Sequence, residues 1–255
     1  MRLSFIGTGN VASHLMNAFH AAHHEIVEIV SKDLNNANHY AQLYHANSIA
    51  EPNQLNDEVD FIFICVNDSN IESIAHVLKD FKSCIVHTAG SVNIDVLNST
   101  HHSSAVIYPL QTFSKNKQIE YSKIPFFVEC LDANIRSKIK DLLDSIHANM
   151  HTADSKQRMS LHIAAVFACN FSNHLYSIAA DILKENNLDF KLLSSLIQET
   201  VDKVQILDPH DAQTGPAKRN DLSTLTKHLD FLKNNESYFS VYQLLSEQIK
   251  EKHNQ

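Results

Sequence analysis

The sequence predicts an α/β fold, a doubly wound and mainly parallel sheet, followed by an all-helical second half. Three observations predict it. Short apolar runs alternate with amphipathic stretches of helical period as far as residue 152, the pattern of a sheet covered by helices. Two of the four glycines in 255 residues share the loop after the first apolar run. From residue 155 to residue 186 there is neither proline nor glycine, so one long helix is expected there.

The elements follow in order. Residues 2–6 read as a strand, 11–22 as a helix, 25–30 as a strand and 34–44 as a helix, with a weak strand near Ser48. Next come a strand within 61–66, a helix at 71–81 and a strand at 84–87. The run from Phe61 to Val66 is apolar on both faces, as in a parallel strand covered on each side. A strand ending near Tyr108, a strand at 125–130, a helix at 134–146 and a strand at 149–152 extend the sheet. The pattern then changes, which divides the chain into 1–153 and 154–255. Asp154 is placed to cap the long helix, with Gln157 three residues later to answer it. Residues 163–171 are almost wholly apolar, so this helix is expected to be buried on nearly every side. Further helices are expected at 190–207, 222–233 and 238–252.

Composition excludes several classes. With 44% hydrophobic and 20% charged residues the chain reads as globular, and no apolar run nears the length of a membrane-spanning helix. Met1-Arg2-Leu3 leads directly into the first strand, so no leader is expected. The 21 basic and 29 acidic residues leave a net charge of -8 without a dense basic stretch, and nucleic acid is not an expected partner. Cys65, Cys84, Cys130 and Cys169 are scattered through apolar surroundings, as expected of buried thiols in the reducing cytoplasm.

Chemistry concentrates in the first loop. Gly7-Thr8-Gly9-Asn10-Val11-Ala12 has the pattern G-x-G-x-x-A between a strand and a helix. In a Rossmann-like unit Gly7 permits the tight turn, Gly9 lets backbone approach a pyrophosphate, and Ala12 lets helix and strand pack closely. The free N–H groups opening the helix attract the anion. The second strand continues into Ser31-Lys32-Asp33, not directly into a carboxylate. Ser31 and Lys32 suit a 2′-phosphate, which favours NADP(H), while Asp33 remains within possible reach of a ribose. Val66 and Asn67 follow the Phe61 strand, and His87, Thr88 and Gly90 follow the next one. Both groups stand at carboxyl ends of parallel strands, where ligands of open sheets bind. Asn67 and Asp68 alternatively cap the next helix, the favoured role for Asp68. Gly90 would let backbone come close to nicotinamide or ribose.

Past the sheet, Tyr108, Gln111 and Thr112 read as a pocket wall, though packing alone explains Tyr108. His162 and Asn170 are the conspicuous polar groups of the apolar helix. His162 reads either as a proton donor to substrate or as a structural histidine. A buried Asn170 would need a partner: substrate, nicotinamide amide or a loop carbonyl. Arg219 would hold a substrate anion, sit in solvent or pair with an acid, and Asp221 would cap a helix. His147, His151 and Asp154 have a suggestive spacing, but the predicted helix ends between them and no metal site is assigned.

Together GTGNVA, HTAG at 87–90, YPLQTF at 108–113, HIAAVFACN at 162–170 and TGPAKRND at 214–221 resemble a bacterial family over essentially the whole chain. That family pairs a Rossmann-like domain with a helical domain of unknown function. It is similar in turn to pyrroline-5-carboxylate reductase, deazaflavin-dependent NADP oxidoreductases, and 6-phosphogluconate and β-hydroxyacid dehydrogenases. The resemblance implies NADP at the Gly7 loop, a 6-phosphogluconate dehydrogenase-like helical domain, a cleft between the domains and a homodimer joined through the helical halves. Three positions depart from it. Tyr108 stands where the family has histidine, and Asn220 where it has glycine. Val166 occupies the place of the lysine that hydroxyacid dehydrogenases carry four residues before their asparagine, so their mechanism does not transfer. The resulting expectation is an NADP(H)-dependent oxidoreductase acting on a small metabolite at the interdomain cleft; the alternative is a non-catalytic dinucleotide sensor or scaffold.

Overall fold

In a computed structural model, residues 1–101, 103–114 and 117–253 are described. Among them, eight strands form one sheet: β1 (Arg2–Ile6), β2 (Glu25–Val30), β3 (Asn47–Ile49), β4 (Phe61–Ile64), β5 (Cys84–His87), β6 (Ser104–Pro109), β7 (Pro125–Glu129) and β8 (Asn149–Thr152). Their order is β3-β2-β1-β4-β5-β6-β7-β8, and the pairs are parallel except for β6 with β7. The chain moves from β1 to β2 and β3 on one side, then crosses back to lay β4 on the other flank of β1. That reversal makes the carboxyl ends of β1 and β4 a topological switch point, where an open α/β sheet leaves a crevice.

Alternation along the strands explains the two covered faces. Phe61 and Phe63 point to one face with Phe5, which stacks on Phe63 at 4.9 Å between centroids, while Ile62 and Ile64 point to the other with Ile6 and Ile85. The first face is covered by α1 (Asn10–Ala21), through Ala12, Leu15, Met16 and Phe19; Ile139, Leu142 and Leu143 of a later helix join the same core. The second is covered by Ile71 and Ala75 of α3 (Ile71–Val77), which follows α2 (Leu34–Tyr44) in the chain.

Helix α3 ends earlier than the periodicity of 71–81 suggests. The Asp57 carboxylate accepts hydrogen bonds from the Lys82 and Ser83 amides at 2.7–2.8 Å and draws the chain towards β5. A four-residue helix, α4 (Asp95–Asn98), has too few residues for a legible period. Next, α5 (Ala133–Asp144) is capped by Asp132, whose carboxylate accepts from the Asn134 and Ile135 amides.

The second half is helical: α6 (Ser155–Ala165), a π-helical segment Val166–Phe171, α7 (Ser172–Glu185), α8 (Ser194–Ile206), the short α9 (Pro209–Ala212), α10 (Leu222–Leu232) and α11 (Glu236–His253). The Asp154–Gln157 capping box forms as its spacing requires, and Asp221 caps α10 by accepting from the Thr224 amide at 3.1 Å. Asn220 has a φ of 53°, the left-handed conformation that glycine or asparagine supplies most easily. Among the described residues no helix is long and apolar enough to cross a membrane.

The chain divides into two compact units, Met1–Asn170 and Phe171–Gln255, later than the 153/154 division expected from the change of pattern. The reason lies in α6, whose Arg158 is completely buried against the sheet unit. Burial of the long helix is also corrected. Ile163 and Phe171 are half exposed, and Phe167 and Asn170 are exposed as well. An apolar sequence predicts a face that some surface covers, yet these apolar residues keep half or more of their surface accessible. Cys169 in the same stretch is likewise exposed, unlike buried Cys65, Cys84 and Cys130.

Candidate functional site

A cleft of about 1130 Å³ opens at the switch point, lined from the first loop, the ends of β2, β3 and β4, and the residues after β5. Gly7 has a φ of 108° and donates its amide to the Val30 carbonyl at 2.8 Å. A Cβ built on it would strike the Cys65 carbonyl group, so the first glycine is required both by its dihedral and by the approach of β4. Gly9 differs. Its φ of -72° is ordinary, and a Cβ there would meet nothing within 4 Å. The space beside Gly9 belongs to the cleft.

Helix α1 starts at that bare residue. Gly9 provides no side-chain cap, and the first turn contains no acidic residue. The leading N–H groups of α1 therefore present unneutralised partial positive charge to the cleft. Thr8 and Val11 line the cleft, while Ala12 is fully buried beneath it, where only a small side chain lets helix and strand approach. Asn10 also borders the cleft, but its side-chain amide donates to the Phe113 carbonyl at 2.9 Å. His14 bonds the Ser114 carbonyl at 2.9 Å, so one face of α1 holds the segment that follows β6.

At the end of β2, Ser31 and Lys32 line the cleft. The Ser31 hydroxyl meets that of Thr8 at 2.9 Å, tying the second strand to the glycine loop. Lys32 is exposed and has no ion partner among the described residues. Asp33 is instead the N-cap of α2: one carboxylate oxygen accepts from the Asn35 and Asn36 amides, and the other from the Asn36 side chain. Its carboxylate is thus already engaged, which leaves Lys32 as the ionic group of this wall.

Val66, Asn67 and Thr88 also line the cleft. Thr88 donates to the Cys65 sulfur at 3.7 Å, and burial pushes the Cys65 thiol up to about 12, so it stays protonated. Asp68 does not cap a helix as expected; it lines the cleft and accepts from the Ser91 hydroxyl, bridging the loops after β4 and β5. His87 lies away from the cleft, fully buried, with Nδ1 accepting from the Ala89 amide at 3.2 Å. Burial, reinforced by the Arg158 guanidinium, pushes its pKa down to about 3.

Gly90 makes room for protein and not, as expected, for ligand. A Cβ there would fall 2.8 Å from Tyr108 Cζ and 2.9 Å from His162 Nδ1. Through that gap the Tyr108 hydroxyl meets His162 Nδ1 at 3.2 Å, with the two rings edge to face. Burial raises the Tyr108 pKa; Arg158 opposes the rise and Asp68 adds to it. The hydroxyl therefore keeps its proton near neutral pH.

The other expected positions are not gathered around this pair. Gln111 and Thr112 are exposed after β6, with the Gln111 side chain accepting from the Thr112 amide at 2.8 Å. Asn170, expected to be buried and bonded, is exposed, and so is Arg219 in the helical unit. Among the described residues no group of three His, Cys, Asp or Glu is placed to hold a metal ion.

Two features escaped the sequence reading. The cleft also takes Leu34, Ala50, Pro52, Ile74 and Val77, for which only the rule that ligands collect at strand ends was a signal. The second is Arg158, paired with Glu129; its position one helical turn before His162 was the available clue.

The family model for NADP oxidoreductases, coenzyme F420-dependent, matches residues 2–99, and a domain of unknown function, DUF2520, matches 124–249. A Bacteroides fragilis protein described as an NADP oxidoreductase is 35% identical, with 98% of each chain covered and a TM-score of 0.90. A protein from Thermotoga maritima is 21% identical over 99% of this chain and 98% of its own, with a TM-score of 0.72. Pyrroline carboxylate reductase from Plasmodium falciparum, solved with NADP bound, shares the fold at 15% identity and a TM-score of 0.62, over 99% of this chain and 98% of its own. No curated protein matches significantly.

Proposed function

This chain belongs with the Bacteroides fragilis protein to a family of NADP oxidoreductases, and from that premise we propose that it transfers hydride between NADP(H) and a small metabolite. The observation that carries the proposal is the uncapped start of α1, where Gly9 leaves open space before unpaired backbone amides. The residues fit the cofactor: the amides of Asn10 and Val11 would receive the diphosphate, and Ser31 with Lys32 the 2′-phosphate. When bound, the nicotinamide supplies or accepts the hydride.

The protein's part is to hold the reactants and move a proton. As a C=N or C=O group is reduced, its heteroatom would take a proton from the Tyr108 hydroxyl, which His162 would replenish through their 3.2 Å contact. Thr88 and Asn67 would border the cofactor. His87, neutral and buried, supports the loop and does not titrate at physiological pH. The helical unit serves a homodimer: Leu192 and Leu196 are 65% and 62% exposed in the single chain, a cost in water that a second copy would remove.

Titration of the purified protein with NADPH and NADH, followed by cofactor oxidation against imines, keto acids and aldehydes, tests the reading. NADPH is expected to bind more tightly, and one substrate class to be turned over with loss on Tyr108→Phe. Tight NADPH binding without turnover on any class would favour the sensor instead. Leu196→Glu is expected to give monomers in sedimentation.

A further inference from the structure

Among the described residues of the sheet unit Arg158 is the least solvent-exposed charge, its side chain 1% accessible, and it reaches four groups. Nη1 bonds Glu129, Nε donates to the Ala89 carbonyl at 3.2 Å, and Nη2 donates to the Val92 carbonyl and to Ser155 Oγ at 3.3 Å. Glu129 in turn accepts from the Ser155 amide at 3.0 Å and its hydroxyl at 2.8 Å. A buried pair this fully bonded is weak evidence of a contribution to stability, since well-packed apolar residues often replace such pairs without loss. Its geometry suggests another use. The two carbonyls it holds flank Gly90, and the helix it stands on carries His162 four residues later, on the same side. Gly90 is the residue against which Tyr108 and His162 close, with room for no Cβ.

We propose that Arg158, anchored by Glu129, is a positioning residue that clamps the turn at 89–92 onto α6 and so sets the contact between Tyr108 and His162. Without the clamp, the loop stays tied to the start of α6 through Ser155, which bonds the Asn93 side chain and the Ile94 amide at 3.2 Å, but no side chain of α6 holds the carbonyls on either side of Gly90, and the hydroxyl and imidazole separate. The guanidinium also opposes the rise that burial imposes on the Tyr108 pKa, keeping its proton transferable. The inference rests on the proton-donor reading only for its catalytic consequence; the positional claim stands apart from it.

The test uses ¹⁵N spectra of histidine side chains at fixed pH, with His162 assigned by its loss in His162→Gln. Arg158→Lys and Arg158→Gln are read first. Because either could unfold the protein by stranding Glu129, the apolar double variant Arg158→Met with Glu129→Leu is measured beside them. The expected result is a folded double variant in which NADPH affinity changes less than about threefold, the His162 Nδ1 resonance moves to that of an imidazole without its tyrosine partner, and turnover falls roughly a hundredfold. Arg158→Lys should restore part of the shift. A folded double variant with the wild-type His162 resonance overturns the clamp. Loss of the resonance while Tyr108→Phe leaves turnover intact would sink the proton-donor reading and leave the clamp standing.

Discussion

The two units differ in how they hide apolar surface. In the sheet unit Phe5, Phe61, Phe63 and Phe126 are fully buried, and both sheet faces are covered by the chain's own residues. Among the described residues from Phe171 onward, only Ala217 and Leu225 are buried, while Leu192, Leu196, Ile206 and Phe231 each exceed 60% exposure. At about 25 cal/mol per Å² such surface is costly in water. The sheet unit contains the reasons for its own stability; the helical unit leaves much of its large apolar surface accessible.

That contrast can be broken most forcefully in the core. Phe63→Ala should cost about 3–5 kcal/mol in urea unfolding, against less than about 1 kcal/mol for Phe231→Ala measured where the protein is monomeric. Equal losses would mean that the helical face is already covered within one chain. The two glycines of the first loop sharpen the comparison within the sheet unit. Gly7→Ala should cost about 3 kcal/mol, because the new methyl meets the Cys65 carbonyl at a positive φ. Gly9→Ala should change stability by less than about 1 kcal/mol yet weaken cofactor binding. Calorimetric melting and NADPH titration of the two variants separate these roles.

His87 predicts a pH effect confined to the sheet unit. Its folded pKa is depressed to about 3 from 6.5, chiefly by burial, so the unfolded chain takes up a proton near pH 6.5 that the folded chain refuses. Stability should therefore fall as the pH drops through that range, by about 2 kcal/mol between pH 7 and pH 5. His87→Gln should flatten that part of the profile in urea midpoints. A last comparison lies at the cleft wall: Lys32→Ala should weaken NADPH about tenfold, roughly 1.4 kcal/mol, and spare NADH. Equal losses for both would refute the 2′-phosphate assignment.

What the sequence disclosed follows the range of the interactions. The Gly7–Ala12 motif and the Asp154–Gln157 cap are local requirements, written within six and four consecutive residues. The doubly wound class needed only apolar runs alternating with helical periods, whereas the strand order and the antiparallel pairing of β6 with β7 were not read. The Arg158–Glu129 pair joins positions 29 apart, and the closure of Tyr108 and His162 on Gly90 joins three elements, so no local pattern announces either. Asn170 and Cys169 were misjudged for a different reason. Hydrophobicity predicts that a face will be covered but does not say by which chain.

The account depends most on the backbone amides at the start of α1. A crystal structure grown with NADPH should show diphosphate oxygens within about 3 Å of the Asn10 or Val11 nitrogen, beside Gly9, with the 2′-phosphate near Lys32. Diphosphate density elsewhere in the protein, or a cleft closed by its own side chains when NADPH is bound, would contradict it.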